Sequence, residues 1–275
     1  MSKELTVSVI TASFNRGKFI EKAILSIKNQ DYPLIEHIIV DGGSTDNTLD
    51  VLKKYDGTYN LKWISEKDEG CFDAYNKGLK MSTGDVICLL DSDDVCLPGT
   101  ISKALKVFNE RSDIDVVFGD LLFQDENDKV IGYTRYLDFN LETLLYFGLD
   151  LSGTVTFFRR SVQEKIGYFD KKYLRAGDTD FFVRMGYSGA RFFHLREFFT
   201  SYRLHKNNLS RSDNIAGIER DEILQKYRNL HSAVASSKWK KNKIRIKRMF
   251  RFIKQGDIRY VFMRMLNRLG AYSYE

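Results

Sequence analysis

The run Val86-Ile87-Cys88-Leu89-Leu90-Asp91-Ser92-Asp93-Asp94 constrains this chain more than any other stretch. Five apolar residues pass directly into three carboxylates, and Pro98-Gly99 follows closely. An unbroken apolar run of that length between turn residues predicts a strand buried on both faces of a parallel sheet. The carboxyl end of such a strand opens into the crevice where open α/β sheets bind their ligands. Three acids within four positions repel one another, so the fold must gain something from them. Asp-x-Asp at a strand end suits a hard divalent cation such as Mg²⁺ or Mn²⁺, which takes oxygen ligands and bridges to phosphate. A turn with an Asp cap ahead of a helix near Thr100 would use the same residues, and this stretch alone does not choose between the two.

The flanking pattern is regular. Leu5 to Ile10 alternates and runs into Thr11-Ala12-Ser13-Phe14-Asn15, a strand ending in small polar residues. Ile20, Ala23, Ile24 and Ile27 recur at helical spacing and stop before Tyr32-Pro33. His37 to Val40 is a short strand ending in Asp41-Gly42-Gly43-Ser44-Thr45-Asp46, where the glycines permit a tight turn and Ser44 or Thr45 can cap a helix from Asn47 to Tyr55. Leu61 to Ile64 as a strand and Gly70 to Lys80 as a helix complete the repeat. Strand and helix alternating at this rhythm predict a mostly parallel, Rossmann-like sheet with its loop ends on one rim. Beyond Pro98 come a helix over about 100–111, a strand at Val116–Gly119, a hairpin turning at Asp125–Asp128, a helix around Leu141–Phe147, a strand at Thr154–Phe158, a helix over 178–189 and one or two short strands within 191–202. The division falls at residues 1–112, 113–215 and 216–275, a division of labour with no flexible linker.

The net charge of +6 conceals an asymmetry. Residues 236–275 hold twelve Lys or Arg against two acids, a surplus of ten, so the rest of the chain carries −4. The acidic body and the lack of any recognition motif argue against nucleic acid as a partner. No apolar stretch approaches the roughly 18 residues needed to span a bilayer, and the N-terminus enters a strand without a secretory signal. Cys71, Cys88 and Cys96 are odd in number, lack metal spacing and suit a reducing cytosol. Trp239, Ile244, Ile246, Met249, Phe250, Phe252 and Ile253 interleave with the tail's basic residues, and a second apolar series runs from Ile258 to Leu269. Two amphipathic helices fit, either docked on an anionic membrane surface or packed on the body with solvated charges.

A joint pattern then becomes visible in Val9-Ile10-Thr11-Ala12-Ser13-Phe14-Asn15, Asp41-Gly42-Gly43-Ser44-Thr45-Asp46-Asn47-Thr48, Asp68-Glu69-Gly70 with Asp73 and Asn76-Lys77-Gly78, Gly84-Asp85, Leu90-Asp91-Ser92-Asp93-Asp94, and Gly177-Asp178-Thr179-Asp180 with Arg184. Over about residues 5–210 the chain resembles the inverting glycosyltransferases of family 2, and within them the bacterial subgroup that builds O-antigen, capsule and exopolysaccharide. The resemblance implies an α/β chain of GT-A fold with a smaller mixed acceptor-side subdomain, an UDP-sugar donor, and Mn²⁺ or Mg²⁺ as cofactor. It implies Asp93 as metal ligand, Asp91 on metal or ribose beside Ser92, and His205 completing the metal shell from a later loop. It also places the nucleoside on the Thr11, Ala12, Ser13 and Phe14 backbone, Asp41 on uracil and Asp73 near the diphosphate-ribose.

Inversion in one step needs a base to take the acceptor hydroxyl proton, and the resembled motif puts it at Asp178. Asp180 lies two residues on, faces elsewhere on a helix, and is expected to cap it or pair with Arg184. His37, His194 and His231 look structural or exposed. Leu151-Ser152-Gly153-Thr154 stands where relatives often carry His-Gln, so acceptor preference does not carry over. The expected acceptor is a glycan linked to polyprenyl diphosphate, met by a cytoplasmic protein peripheral on the inner membrane through its basic tail. A sugar nucleotidyltransferase would want a Gly-rich, basic loop after the first strand, which Thr11 to Gly17 is not. A non-catalytic glycan- or protein-binding relative would not need Asp93, Asp178 and His205 together.

Overall fold

The computed structural model describes residues 4–147, 151, 153–206, 208, 214–230 and the single positions 242, 246 and 250. The first half alternates β1 (Val7–Ser13), α1 (Ile20–Lys28), β2 (Ile35–Asp41), α2 (Thr48–Tyr55), β3 (Leu61–Ser65), α3 (Cys71–Met81) and β4 (Val86–Asp91). All four strands pair in parallel, in the order β3-β2-β1-β4. Every residue of β1 is buried, and its side chains part to opposite faces as strand geometry requires. Ile10 and Ala12 join Ile38, Val40 and the Phe72, Tyr75 and Leu79 side of α3. Val7 and Val9 join Val86, Cys88 and Leu90 on the other face, under α1 and α4 (Thr100–Glu110). The apolar run before the three acids is thus the central strand expected, covered on both sides.

Two motif residues in α3 have packing roles. A Cβ at Gly78 would lie 2.2 Å from Ile10 Cγ2, so only glycine lets α3 settle this closely on β1. Asn76 donates to the Phe169 carbonyl and accepts from the Phe169 N–H, both at 2.9 Å. That reciprocal pair ties α3 to the segment leading into the helix that starts at Gly177.

Beyond β4 the sheet continues without a break but loses its parallel order. β8 (Phe157–Arg159) runs antiparallel to β4 and to β6 (Val116–Gln124), β7 (Val130–Thr134) runs antiparallel to β6, and β9 (Phe192–Arg203) is parallel to β6. The two-residue β5 (Val95–Cys96) closes the far edge against β9. A mostly parallel sheet therefore describes the first half, and a mixed one the second. Three local differences from expectation have physical causes. The strand foreseen from Thr154 begins only at Phe157, because Val155 has φ 51°, a left-handed conformation no strand can hold. α6 (Arg160–Ile166) is two turns long, too short to show a period. The 191–202 region forms one continuous strand whose register shifts opposite Phe118–Leu121 blurred its alternation.

Helices α5 (Leu141–Phe147), α7 (Gly177–Tyr187) and α8 (Ile215–Leu230) share a core of Leu144, Leu145, Val183, Ile223, Leu224 and Tyr227. The amphipathic helices expected beyond residue 238, and their docking on a membrane, lie outside the described residues. Among the described residues no helix is long and apolar enough to cross a membrane.

Candidate active site

The ends of β1 and β4, the start of α3 and the start of α7 enclose one cavity of about 440 Å³. Ala12, Ser13, Phe14, Asp91, Ser92, Asp93 and Asp178 line it, so seven of the residues expected at the site meet there. Four expected residues do not line it. The Thr11 hydroxyl turns to the opposite side of β1 and meets His37 Nε2 at 3.0 Å. Asp41 is fully buried under its own loop, where it accepts the Gly43 and Ser44 N–H groups and the Ser44 and Ser65 hydroxyls. Asp73 starts α3 and faces Lys171 at 3.3 Å and the Glu69 N–H at 3.2 Å. His205 lies behind the wall, where it meets Asp93.

At the nucleoside end, Phe14 is 54% exposed and offers a free aromatic face at the rim. The Ser13 hydroxyl is buried on the cavity wall with no partner among the described residues. Asn15, with φ 51°, turns the chain away from β1, its N–H bound to Ser44 Oγ at 2.7 Å. Neither Ser44 nor Thr45 caps α2 as expected. Asp46 does the local work instead, accepting the Thr48 N–H and hydroxyl and reaching the Gly17 N–H at 2.9 Å.

The acidic loop after β4 divides its labour. Asp94 is fully buried and accepts the Arg203 N–H at 2.9 Å, while Arg203 Nε donates to the Asp93 carbonyl, so Asp94 secures the loop to β9. Asp91 Oδ1 accepts the Tyr75 hydroxyl at 2.5 Å. Burial, and after it the neighbouring Asp93 charge, pushes the Asp91 carboxyl above the usual range. Asp93 Oδ2 meets His205 Nε2 at 2.8 Å and Arg16 Nε at 3.1 Å. Burial opposes its ionisation, but the His205 hydrogen bond and the Arg16 charge outweigh that and hold its pKa low. Asn208 shapes the His205 turn, accepting the His205 N–H and donating to the Arg203 carbonyl at 2.9 Å.

Among the described residues no group of three or more His, Cys, Asp or Glu side chains is set to hold a metal ion, and Asp91 is turned to Tyr75. The residues present nonetheless fit a divalent cation that takes its other ligands from phosphate. Two donors on one octahedral ion sit about 3 Å apart, close to the Asp93–His205 spacing of 2.8 Å. One carboxylate and one imidazole beside a phosphate is an acceptable set for Mn²⁺.

Asp178 sits in the first turn of α7, across the cavity. Its Oδ1 accepts the Thr179 N–H at 2.7 Å, while a Cβ at position 153 would come within 2.9 Å of its Oδ2. Gly153, having no side chain, leaves that oxygen open. Burial raises the Asp178 pKa, with the Thr179 N–H and the Arg220 charge pulling the other way. Asp180 points out of the cavity, bound to Arg184 Nε at 2.7 Å and the Tyr227 hydroxyl at 2.9 Å, the pairing expected of it. Cys71 also lines the cavity, and burial, aided by Asp91 and Asp178, pushes its thiol up to about 12, too high for a nucleophile. Arg16, Tyr75, Asn208 and Arg175 complete the wall without having been foreseen. Only Arg16 gave a signal, as a cation following the first strand's polar end.

Comparison with known proteins agrees with this geometry. The family model described as glycosyl transferase family 2 matches residues 8–167. An uncharacterized glycosyltransferase of Mycobacterium tuberculosis is 30% identical over 189 residues, covering 67% of this chain and 70% of the relative. The structure of S. aureus TarS 1–349 in complex with UDP-GlcNAc aligns with a TM-score of 0.64 at 22% identity, covering 84% of this chain and 74% of that one. The mannosyltransferase PcManGT from Pyrobaculum calidifontis, in complex with GDP-Man and Mn²⁺, aligns with a TM-score of 0.59 at 16% identity, covering 95% and 84%. The two structures share the GT-A arrangement of a curled mixed sheet between helices, and the sequence matches carry the relationship further: this chain is a glycosyltransferase and belongs to glycosyl transferase family 2.

Proposed function

We propose that the chain transfers a hexose or N-acetylhexosamine, with inversion, from a UDP-sugar to a hydroxyl of a glycan acceptor during assembly of a bacterial surface polysaccharide. The observation that carries this reading is the meeting of Asp93 and Asp178, distant in sequence, on the wall of one cavity. Diphosphate binding and proton abstraction need two carboxylates in different surroundings, and these have them. UDP as the carrier draws support from the TarS complex with UDP-GlcNAc, and Mn²⁺ from the PcManGT complex.

In this mechanism the uracil stacks on Phe14 with Ser13 Oγ supplying a hydrogen bond, and the diphosphate lies toward Arg16 and Asp93. Asp93 and His205 would hold the divalent cation, which when bound offsets the negative charge gathering on the leaving diphosphate. Arg16 adds a second positive group at the same end. Asp178 Oδ2 accepts the proton of the acceptor hydroxyl as its oxygen attacks the anomeric carbon from the face opposite the diphosphate. One displacement therefore inverts that carbon. Burial that raises the Asp178 pKa also makes it the better base, as long as it stays ionised. Residues 1–112 serve as the donor half, 113–215 as the base and acceptor half, and 216–275 as the tail that brings the enzyme to a polyprenyl-linked acceptor at the cytoplasmic face of the inner membrane.

The test is release of UDP or GDP from a panel of UDP-glucose, UDP-galactose, their N-acetyl forms and GDP-mannose with Mn²⁺. Turnover of a UDP-sugar is the expected result. Turnover of GDP-mannose alone would overturn the assigned donor, and binding without turnover of any donor would overturn the assigned chemistry.

A further inference from the structure

The segment that opens α7 has no local cap. Ala176, at its N-cap position, makes no side-chain capping bond. Backbone N–H groups at a helix start are left without partners unless something outside the helix takes them. For the Ala176 N–H and the two before it that partner comes from α8, a helix beyond the residues matched by the family model. The Glu219 carboxylate, 9% exposed, accepts three consecutive N–H groups: Leu174 at 2.7 Å on Oε1, and Arg175 and Ala176 at 2.8 Å on Oε2.

These three residues hold a particular place. Arg175 and Asp178 both line the cavity, and residues 174–176 are the last stretch before the helix turn that carries Asp178. A buried carboxylate on three successive amides fixes the backbone there more firmly than one side-chain cap does. The rest of α8 is fastened to the same helix group. Tyr227 donates to Asp180, Tyr187 donates to the Tyr227 carbonyl at 2.8 Å, and Arg228 Nε donates to the Leu145 carbonyl. Arg220, the neighbour of Glu219, also draws the Asp178 carboxyl toward its ionised form.

We propose that Glu219 is a positioning residue for the transfer reaction: from α8 it sets the backbone from which Asp178 reaches into the cavity. The proposal rests on Asp178 being the base. It gives α8 a part in catalysis although no residue of α8 lines the cavity. It also makes this first helix of the 216–275 segment the element through which the tail's placement bears on the base.

The experiment compares Glu219→Gln, Glu219→Asp, Tyr227→Phe, Asp178→Asn and the double variant Asp178→Asn/Glu219→Gln in the full chain. Each is measured for kcat and KM with the UDP-sugar turned over fastest in the donor panel, for UDP affinity by calorimetry, and for Tm. Glutamine fills the same space but turns an N–H₂ toward amide donors. E219Q is expected to lower kcat by about 10- to 100-fold, the loss typical when a group that orients a functional side chain is removed, with UDP affinity unchanged. E219D, which keeps the carboxylate, is expected to recover part of that loss. The double variant is expected to be no slower than D178N, because Glu219 acts through Asp178. Y227F, which removes a neutral hydroxyl, keeps the question open to measurement if E219Q fails to fold, and is expected to lower kcat by a few-fold.

An E219Q enzyme with wild-type kcat, or one that loses kcat and UDP affinity together, would overturn the positioning role. So would an unfolded E219Q together with a Y227F enzyme of wild-type kcat. If D178N keeps full transfer, the base assignment fails first, and with it this proposal. A dead D178N beside a fully active E219Q overturns the positioning role alone.

Discussion

The two walls of the cavity carry carboxylates treated in opposite ways. Asp93, on the sheet side, is gripped by Arg16 and His205, and their charge and hydrogen bond win over burial and keep it ionised. Asp178, on the helix side, has one backbone N–H and an oxygen facing the empty side of Gly153, and burial wins there. The difference supports the two roles proposed for them. A carboxylate held by a guanidinium and an imidazole suits the diphosphate end, where charge must be countered. A carboxylate with a raised pKa and an open oxygen suits proton abstraction.

The sharpest way to break this comparison is Asp178→Asn. Loss of the base is expected to reduce kcat by about 10²- to 10⁴-fold, with UDP affinity held, in a coupled assay of UDP release. Because burial disfavours the charged form of Asp178, its neutral isostere should also raise Tm slightly. A variant that is both inactive and more stable would mark Asp178 as a functional rather than a structural acid. The same raised pKa fixes the direction of the pH profile. The base works deprotonated, so kcat/KM falls as pH drops through the Asp178 pKa, which lies above the ordinary aspartate value of 3.8. An acid limb unchanged in a residually active Asp178→Glu enzyme would count against the assignment.

The opposite wall should fail in the opposite way. Asp93→Asn is expected to cost about 10²-fold in kcat, the scale of losing one group that stabilises transition-state charge, and to reduce the gain in UDP affinity on adding Mn²⁺. His205→Ala should do the same to a smaller degree. Chelation of the wild-type enzyme should abolish transfer and added Mn²⁺ should restore it. If Asp93→Asn keeps the Mn²⁺-dependent gain, the division of roles between the walls collapses. At the rim the effect shrinks again. Phe14→Ala should weaken UDP binding by roughly 10-fold, since one base stacked on an aromatic ring is worth about 1–3 kcal/mol, while kcat barely changes.

The same division explains what could be read from the chain before its coordinates. In the first half the strands are apolar or alternating segments and most of the expected site residues sit where those segments stop, so the order of elements and the rim follow from local pattern. Even there the strand's period limits the reading. Successive residues of β1 point to opposite faces, so the side chains of Thr11 and Ala12 part, with the Thr11 hydroxyl on His37. Asp41 looked available from its loop, but that loop's own N–H groups claimed it. In the second half the determinants are non-local. The strand at Phe157 is delayed by one left-handed residue, β9 is bent by register shifts, and the segment entering α7 is held by a glutamate from α8. No motif within a few residues could disclose the last of these.

Acid gives the two halves one further means of separation, and it is the smallest effect at neutral pH. His37 is fully buried in β2 between the Thr11 and Tyr59 hydroxyls, neither of which can balance a positive ring. Burial drives its pKa down to about 3, whereas in the unfolded chain it lies near 6.5. Between those values the unfolded state binds one proton more than the folded state. Stability is therefore complete above about pH 6.5 and is lost as pH falls, by up to about 1.4 kcal/mol per pH unit for this one group. Urea midpoints at pH 7.5 and 5.5 should show the wild type losing about that amount. His37→Gln should be less stable at pH 7.5 through its lost packing, yet should lose less on acidification. An equal loss in both proteins would remove His37 as the acid-sensitive point of the donor half. Acid inactivation of the enzyme then has two separable sources: protonation of Asp178, seen in kcat while the chain stays folded, and the proton that His37 cannot accept, seen only in the stability of the parallel sheet.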